Sequence, residues 1–351
     1  MTRKPGGYVL AIALLLCAML AVLGASLLEL APSQLSQSQL VLELGRMSDL
    51  AQCGLSDAEA RLLANPAWSS GVPRTPFESG SYEVTLVSRP NGPLLRASGH
   101  GAGGEVRVLE REIGLGSRAF QYAVYSAGTL TLDFAPKASI EGGLYGYQGV
   151  LVSEGDHEGV AESFVNQGPE IRLPSVDRQR YRDDFGFDLE FASTASLEGD
   201  YSGHRIVFVD GNLTLRQDRV PFRFRTLIVT GNVVISGKLP GSSSGNSWLR
   251  PRFIDGARRL PALLCGGNLS TDGQPVSELE VEGTVWVSGN VTLEELQLEG
   301  NLMAGGNVTL TGQKAHVHQR PLLWDPMSYP PYFTPDAAGC FLTRVRQRIV
   351  Q

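Results

Sequence analysis

The chain has 351 residues, of which 42% are apolar and 19% are charged, and its formal net charge is −6. These values are typical of a folded protein and exclude a disordered chain. The negative charge argues against nucleic-acid binding, because phosphate contacts require a basic surface. The length permits one large domain or two smaller ones.

The chain begins with a segment that predicts a membrane-spanning helix. Tyr8 to Leu28 is a run of 21 residues without a charged side chain. At about 1.5 Å per helical residue, such a run is long enough to cross the core of a bilayer. Arg3 and Lys4 precede it, so the positive-inside rule predicts a cytoplasmic N-terminus and export of the remaining chain.

Beyond the apolar run, the pattern predicts that the helix continues as an amphipathic stalk. Apolar residues recur at roughly helical spacing from Gln34 to Leu63, among them Leu35 and Leu42. Pro32 is expected to kink the helix where it leaves the membrane.

The N-terminal sequence RKPGGYVLAIALLLCAMLAVLGASLLEL, followed by LSDAEARLL, resembles PilX-like type IV pilus assembly proteins and the K-type minor pseudopilins of type II secretion. The resemblance implies a bacterial inner-membrane protein whose leader is cut by a prepilin peptidase between Gly7 and Tyr8. It also implies pilin or pseudopilin helices as partners. Most pilins carry a glutamate as the fifth mature residue, whereas this chain has Ile12. That difference favours a tip, initiator or accessory subunit, and an uncleaved signal-anchor is the alternative.

A linker that contains proline and serine, ANPAWSSGVPRTP, separates the helix from β-prone sequence. Ser81 to Arg89 and Gly104 to Gly116 alternate polar and apolar residues around a glycine-rich turn. These two segments predict a small antiparallel β module.

A glycine–asparagine phrase recurs through much of the remaining chain, as in SGNVTL and GGNVTL. Asn290 and Asn307 are 17 residues apart, which is about one coil of a three-sided β-solenoid with strands stacked at about 4.8 Å. Val291 and Leu293 are expected to face the interior and Thr292 the solvent. The glycine is expected to supply a positive φ at a corner, and the asparagine to hydrogen-bond that corner.

The same region is similar to the polymer-forming, glycine-rich β-solenoid domains found with PilX-like N-termini in bacterial envelope proteins. The likeness is clearest in HRIVFVDGNLTL and TLIVTGNVVISGKL. It implies a mainly β fold, with a right-handed β-solenoid exported on the long N-terminal transmembrane and stalk helix.

Two polar insertions, near 172–205 and 238–259, are predicted to leave one face of the solenoid. Exposed loops are common sites of recognition, and the ligand would be a surface glycan or a protein. The candidate partner-binding residues are Arg182, Asp183, Trp248 and Arg250. Prolines between Pro321 and Pro335 are expected to stop the stacking, and the nearby aromatic residues Trp324, Tyr329, Tyr332 and Phe333 are expected to cover the last coil.

Other patterns have simpler explanations than a site. The glycosylation pattern at Asn212, Asn268, Asn290 and Asn307 follows from their shared slot in the repeat. His316 and His318 would face the same side of a strand, but no nearby ligand completes a metal site. Asp183 and Asp184 are consecutive and would point to opposite faces of a strand, which argues against a polysaccharide-acting enzyme. No catalytic, cofactor or metal site is predicted.

The four cysteines are Cys17, Cys53, Cys265 and Cys340, and their spacing does not match a metal-binding pattern. Unpaired buried thiols are the favoured interpretation. A disulfide such as Cys265–Cys340 requires that this region lie outside the cytoplasm.

The predicted organisation is a basic leader (1–7), a transmembrane helix (8–30) that contacts lipid through 8–28, a stalk helix (31–65), a linker and β module (66–118), a β-solenoid (119–320) and a capping tail (321–351). The predicted protein is a structural, non-enzymatic accessory or tip component of a type IV pilus or related secretion filament. It is a single-pass inner-membrane protein whose exported domain serves adhesion or assembly. The alternative is a surface-anchored solenoid, unrelated to filaments, that stacks with itself or binds glycan.

Overall fold

The structure is a computed structural model that describes residues 6–78, 80–87, 93–134, 139–153, 171–237, 246–255, 258–272, 279–312, 315–319, 330–335 and 340–350. Its helices are α1 (Gly6–Ala64), the 3-10 helix η1 (Arg118–Gln121) and α2 (Arg178–Phe185). Strands β1 to β9 are Val72–Phe77, Gly80–Val87, Leu94–His100, Val106–Ser117, Val124–Ser126, Thr129–Phe134, Ser139–Glu141, Leu144–Gly146 and Gly149–Val152. Strands β10 to β20 are Ser175–Val176, Leu189–Phe191, Ala195–Leu197, Ile206–Val209, Leu213–Arg216, Arg223–Phe224, Thr226–Val229, Val233–Ser236, Ser247–Leu249, Phe253–Asp255 and Arg258–Arg259. Strands β21 to β29 are Leu263–Cys265, Leu269–Thr271, Leu279–Val287, Val291–Glu294, Leu296–Ala304, Val308–Gly312, His316–His318, Phe333–Thr334 and Cys340–Val350.

The C-terminal part of α1 packs on a five-stranded antiparallel sheet of order β1-β2-β3-β4-β29, and together they form the helix–sheet module. One face of the helix, including Leu55, Ala58 and Leu62, is buried against sheet residues such as Leu95 and Ile113. Apolar residues three and four apart lie on one side of a helix, so the later part of the predicted stalk pattern is the side that meets the sheet. Leu35 and Leu42, earlier in the same pattern, are exposed.

The last strand of this sheet comes from the end of the chain. β29 pairs with β4 in a register that runs from Cys340 opposite Ser117 to Val350 opposite Val108. The prediction of a capping tail over 321–351 is therefore wrong for residues 340–350, which complete the helix–sheet module. Everything between β4 and β29 is an insertion into that module.

A buried arginine ties the three parts of the module together. Arg111 on β4 donates to Glu59 of α1 at 2.5 Å, to Gln52 of α1 at 2.9 Å and to Gln347 of β29 at 2.5 Å. Because both Arg111 and Glu59 are buried, each charge depends on the other for compensation.

The insertion is a stack of coils, which we call the coil stack. Its strands form three faces, and the strands within each face pair in parallel. Face A contains β11, β13, β16, β21, the C-terminal half of β23, the C-terminal half of β25, β5 and β8. Face B contains β12, β14, β17, β22, β24, β26, β6 and β9. Face C contains β15, β18, the N-terminal halves of β23 and β25, β27 and β7. The mainly β fold and the parallel stacking of repeated strands are confirmed, whereas the handedness of the coils stays a prediction.

The spatial order of the coils differs from their order in the chain. The first coil in sequence, β5 to β7, pairs with β25, β26 and β27, which belong to the last coil in sequence. β8 and β9 then extend the stack beyond it. The first coil in sequence is therefore next to the last coil in space.

A ladder of asparagines runs along one corner of the stack. The backbone N–H groups of Asn232, Asn268, Asn290 and Asn307 each donate to the side-chain oxygen of the asparagine in the preceding coil, at 2.8 Å in every case. The side-chain oxygen of Asn307 in turn accepts a hydrogen bond from the N–H of Thr129 at 2.9 Å. The predicted hydrogen-bonding role of these asparagines is confirmed.

The glycine before each of these asparagines was expected to supply a positive φ, and this prediction is wrong at most of the positions. Among these corner glycines only Gly211, with a φ of 143°, lies in the left-handed region. At Gly231, Gly267, Gly289 and Gly306, a Cβ would instead lie 2.3–2.5 Å from the side-chain oxygen of the preceding coil's asparagine. The glycine is required because the asparagine ladder occupies the space of a side chain.

The segment near 172–205 is not a loop insertion, because it contains β10, α2, β11 and β12. Residues before and within α2 lie across an apolar row on the outside of face A. Trp286 in that row donates its indole N–H to the carbonyl of Pro174 at 2.9 Å, and Tyr181 of α2 is completely buried in the same cluster. The apolar outer row requires this cover, since it would otherwise face water.

The second predicted insertion, near 238–259, also contains part of the stack. Its strand β18 pairs in parallel with β15 and β23 on face C. β19 and β20 form a separate two-stranded hairpin. Residues 238–245 lie outside the described residues, so the loop prediction concerns only that part.

We expect Arg111→Met to destabilise the helix–sheet module by roughly 3–5 kcal/mol, because Glu59 would remain buried without its partner. Amide hydrogen exchange in β4 and β29 should become faster. Arg61→Met is the control, since Arg61 pairs with Asp57 at 3.0 Å on the exposed side of α1. Equal exchange rates in the two variants would contradict the role given to Arg111.

We expect Gly289→Ala to destabilise the coil stack by about 1–3 kcal/mol, as overpacking does. Its Cβ would lie 2.3 Å from Asn268 Oδ1, whereas a Cβ at Gly203 meets nothing within 4 Å. Urea unfolding of Gly289→Ala and Gly203→Ala checks this. A loss of the same size at both positions would show that close packing at the corner is not the cause.

Candidate functional site

The part of α1 that precedes the helix–sheet module exposes a dense set of apolar side chains. Among the residues of α1 whose burial is described, Met47 is the first that is apolar and buried. Between 51% and 67% of the side chain is exposed at Ile12, Leu14, Leu15, Leu16, Met19, Leu20, Val22, Leu23, Leu35, Leu40, Val41 and Leu42. We call residues 6–46 of α1 the projecting segment. At 1.5 Å per residue it extends about 60 Å from the module.

The exposed apolar residues surround the projecting segment instead of forming one stripe. Leu14, Leu15 and Leu16 are consecutive, so they point about 100° apart around the helix axis, and all three are exposed. A helix that is apolar on all sides is normally buried on all sides. The projecting segment therefore presents apolar contact surface in several directions around its axis.

The continuous helix predicted for the N-terminal region is confirmed, because α1 runs from Gly6 to Ala64. Across the part of the chain that the structure describes, no helix is both long and apolar enough to qualify as a membrane span. Gly7 and Tyr8, the residues of the expected processing site, lie in the first turns of α1. Ile12, at the position where most pilins carry an acid, is half-exposed. Cleavage between Gly7 and Tyr8 stays a prediction.

Arg182 and Asp183 lie on α2 and not on a loop. Arg182 is within 3.5 Å of Glu190 on β11, and Asp183 accepts a hydrogen bond from Gln179 one turn earlier in α2 at 3.0 Å. Both side chains are exposed, but the adjacent residues hold α2 against face A. Binding of a partner at this pair stays a prediction.

Trp248 and Arg250 belong to a cluster of interacting side chains on face C. The guanidinium groups of Arg225 and Arg250 lie 5.2 Å and 5.5 Å from the centroid of the Trp248 ring, respectively. Arg250 also pairs with Glu280. The two cations and the ring stabilise one another, so much of the ring already has protein neighbours. The cluster is separate from Arg182 and Asp183, which lie over the outside of face A.

The positions of Cys265 and Cys340 do not agree with the suggested disulfide. Cys265 is a free thiol in the core of the stack, and its Sγ contacts the carbonyl oxygens of Gly231 at 3.3 Å and Asn268 at 3.4 Å. Cys340 begins β29 in the helix–sheet module. A disulfide between the two is therefore not formed. Burial raises the pKa of the Cys265 thiol to about 11, whereas Cys17 is exposed on the projecting segment.

The two histidines and Asp184 contact other residues of the chain. His316 and His318 are exposed on the same side of β27, as predicted, and contact Ser139 and Glu141 of β7. Within the described residues no group of three metal-ligating side chains is present. Asp184 accepts a hydrogen bond from Tyr332, and therefore helps to hold the cover of face A.

Two of the aromatic residues expected to cover the last coil have another position. Tyr332 and Phe333 belong to the cluster outside face A, where the Tyr332 and Tyr181 rings are 5.3 Å apart. Trp324 and Tyr329 lie outside the described residues.

We expect iodoacetamide at pH 8 to leave Cys265 unmodified in the folded protein. The thiol is buried, and its raised pKa keeps it protonated until the pH approaches about 11. Cys17 should react under the same conditions because its side chain is exposed. Mass spectrometry of the alkylated peptides checks both residues, and rapid labelling of Cys265 before unfolding would contradict its placement in the core.

No protein-family model matches the chain, and no curated protein matches it either. Among solved structures, an ice-binding protein from the Antarctic ascomycete Antarctomyces psychrotrophicus is similar at a TM-score of 0.34 and 14% identity, over 57% of this chain and 96% of that one. The competence-associated pilin ComZ from Thermus thermophilus is similar at a TM-score of 0.24 and 12% identity, over 88% of this chain and 98% of that one. Likenesses at this level do not establish a family.

Proposed function

We propose that this chain is a structural, non-catalytic accessory subunit of a type IV pilus or a related secretion filament. The observation that carries the proposal is the projecting segment, whose apolar side chains are exposed on all sides while the rest of α1 is packed in the helix–sheet module. In this role the segment is buried among the helices of neighbouring subunits.

Helices of other subunits fit the projecting segment better than a single flat surface does. A flat surface would cover one side of the helix and leave the opposite leucines in water. At roughly 25 cal/mol per Å² of apolar surface removed from water, covering the remaining sides adds a large favourable free energy. A bundle of apolar helices surrounds the segment completely, as does lipid before assembly.

The proposed location follows the same logic. The subunit is inserted in the bacterial inner membrane through residues 8–28, with its C-terminal domains exported. The leader is then removed after Gly7 and the helix enters the filament. Ile12 in place of an acid suits an accessory or tip position in this scheme.

The coil stack is the displayed part of the subunit. It is inserted between β4 and β29, whose ends at Ser117 and Cys340 are register partners. Arg111 fixes both strands to α1. A module held at two neighbouring points suits rigid presentation for adhesion or assembly more than a flexible tether does.

We expect the protein purified from its own membranes to begin at Tyr8 and to co-purify with pilins. Mass spectrometry of the N-terminal peptide identifies the cleavage, and Cys17 should be protected from iodoacetamide in the assembled state but not in the isolated subunit.

Val22→Glu should abolish co-purification, because it places a charge among apolar helices. Thr292→Glu, on an exposed position of face B, is the matched control.

An intact leader together with unchanged co-purification of Val22→Glu would overturn the filament role. Retention of residues 1–7 with no pilin partner would favour the alternative, an anchored coil stack unrelated to filaments. The enzyme alternative would be supported by loss of a measurable polysaccharide-degrading activity in Asp184→Asn.

A further inference from the structure

The two edges of the sheet in the helix–sheet module differ in their ability to accept another strand. β1 is short, carries Pro73 and Pro76, and has an irregular register with β2 between Val72 and Thr75. Proline removes a backbone donor, so this edge is poorly suited to further pairing.

The opposite edge, β29, has 11 residues and no proline. In the described part of the chain it pairs with β4 alone. In an antiparallel strand, alternate backbone N–H and C=O groups point away from the existing partner. β29 therefore presents a long row of main-chain donors and acceptors along its outer side.

The side chains along β29 have a definite chemical character. Arg346 and Arg348 are exposed and lie opposite Glu112 and Glu110 of β4. Glu110 pairs with both Arg96, at 2.5 Å, and Arg348, so two guanidinium groups share one carboxylate, and Arg346 adds a third cation on this side of the sheet.

An apolar position accompanies this basic strip. Ile349 is 56% exposed although its register partner Leu109 is buried under α1. The helix therefore does not cover β29 at this position. An added strand would find an apolar contact at Ile349 and basic contacts at the two arginines on the opposite side.

We propose that the β29 edge binds an extended acidic segment of another protein, which adds to the sheet as a sixth strand. Main-chain hydrogen bonds supply the affinity in this mode of recognition, and alternate side chains supply the specificity. The excess of guanidinium groups selects acidic side chains on the added strand.

A second copy of this chain fits the edge less well. Pairing β29 with β29 would bring Arg346 and Arg348 near the same residues of the other copy. Like charges directly across a strand pair are destabilising. The charge pattern therefore favours a different, acidic partner.

The test uses the full chain in detergent and two synthetic probes, an alternating valine–glutamate heptapeptide and its valine–lysine counterpart. We expect the acidic peptide to slow hydrogen exchange in residues 340–350, and the basic peptide to have no effect. Arg346→Glu should weaken binding of the acidic peptide by about fivefold, the upper range for one cross-strand charge pair. Arg346 is chosen because Arg348 also supports Glu110.

Arg74→Glu on β1 is the matched control, since Arg74 is an exposed arginine on the opposite edge. It should bind the acidic peptide as the unmodified chain does. The proposal is overturned if neither peptide protects β29, if the two peptides protect it equally, or if Arg346→Glu and Arg74→Glu weaken binding to the same extent. Concentration-dependent protection of β29 without peptide would also overturn it, because that result assigns the edge to a second copy.

Discussion

The hydrogen bond from one coil's backbone to the preceding coil's asparagine fixes the geometry of the coil stack. Asn232 Oδ1, for example, accepts from the N–H of Asn268 at 2.8 Å. The same asparagine oxygen occupies the space where Gly267 would carry a Cβ. One interaction thus satisfies a corner donor, sets the close approach of successive coils and explains the recurring glycine. The apolar rows inside the strands are aligned as a consequence, because the corner keeps their register.

The helix and the stack contribute to the proposed role through different physical properties. The projecting segment has apolar surface that water does not solvate well, and therefore favours assembly with other apolar helices. The stack has closed corners and a continuous core, with Val291 and Leu293 almost completely buried. Its interior is enclosed by its own strands, and the apolar outer row of face A is enclosed by the cover. The helix–sheet module connects a helical segment with exposed apolar side chains to a stack whose apolar side chains are largely buried.

Several features follow from local patterns and were predictable from the sequence. The apolar run predicts the start of α1, and alternation in GNVTL places Val291 and Leu293 inside. The position of the first coil was not predictable, because strands with the same alternation can stack at either end of a parallel sheet. The pairing of β29 with β4 was missed for a related reason, since it joins residues more than 200 positions apart. The role of Arg111 was also missed, because its partners come from distant parts of the chain.

The need for a cover over face A is visible in the pattern of its strands. Strands on face B alternate buried and exposed residues, as in β14, whereas β16 and β21 on face A are buried at every position. A strand that is apolar on both sides must be covered on both sides. This pattern favours a segment that covers the outside of face A, and the residues around Arg182 and Asp183 are that segment instead of a free loop.

The insertion point of the coil stack determines how the subunit would respond to force. β4 ends and β29 begins at neighbouring positions, so tension on the stack pulls both strands in the same direction and does not slide them past each other. The resisting contacts include the bonds of Arg111 to α1 and the paired residues between β4 and β3. These pairs run from Leu94 opposite Glu112 to His100 opposite Val106 and would be loaded in shear together. Hydrogen bonds loaded side by side must break together, whereas bonds at an opening end break one after another. The junction between the helix–sheet module and the coil stack is therefore arranged to withstand pulling along the direction of its strands.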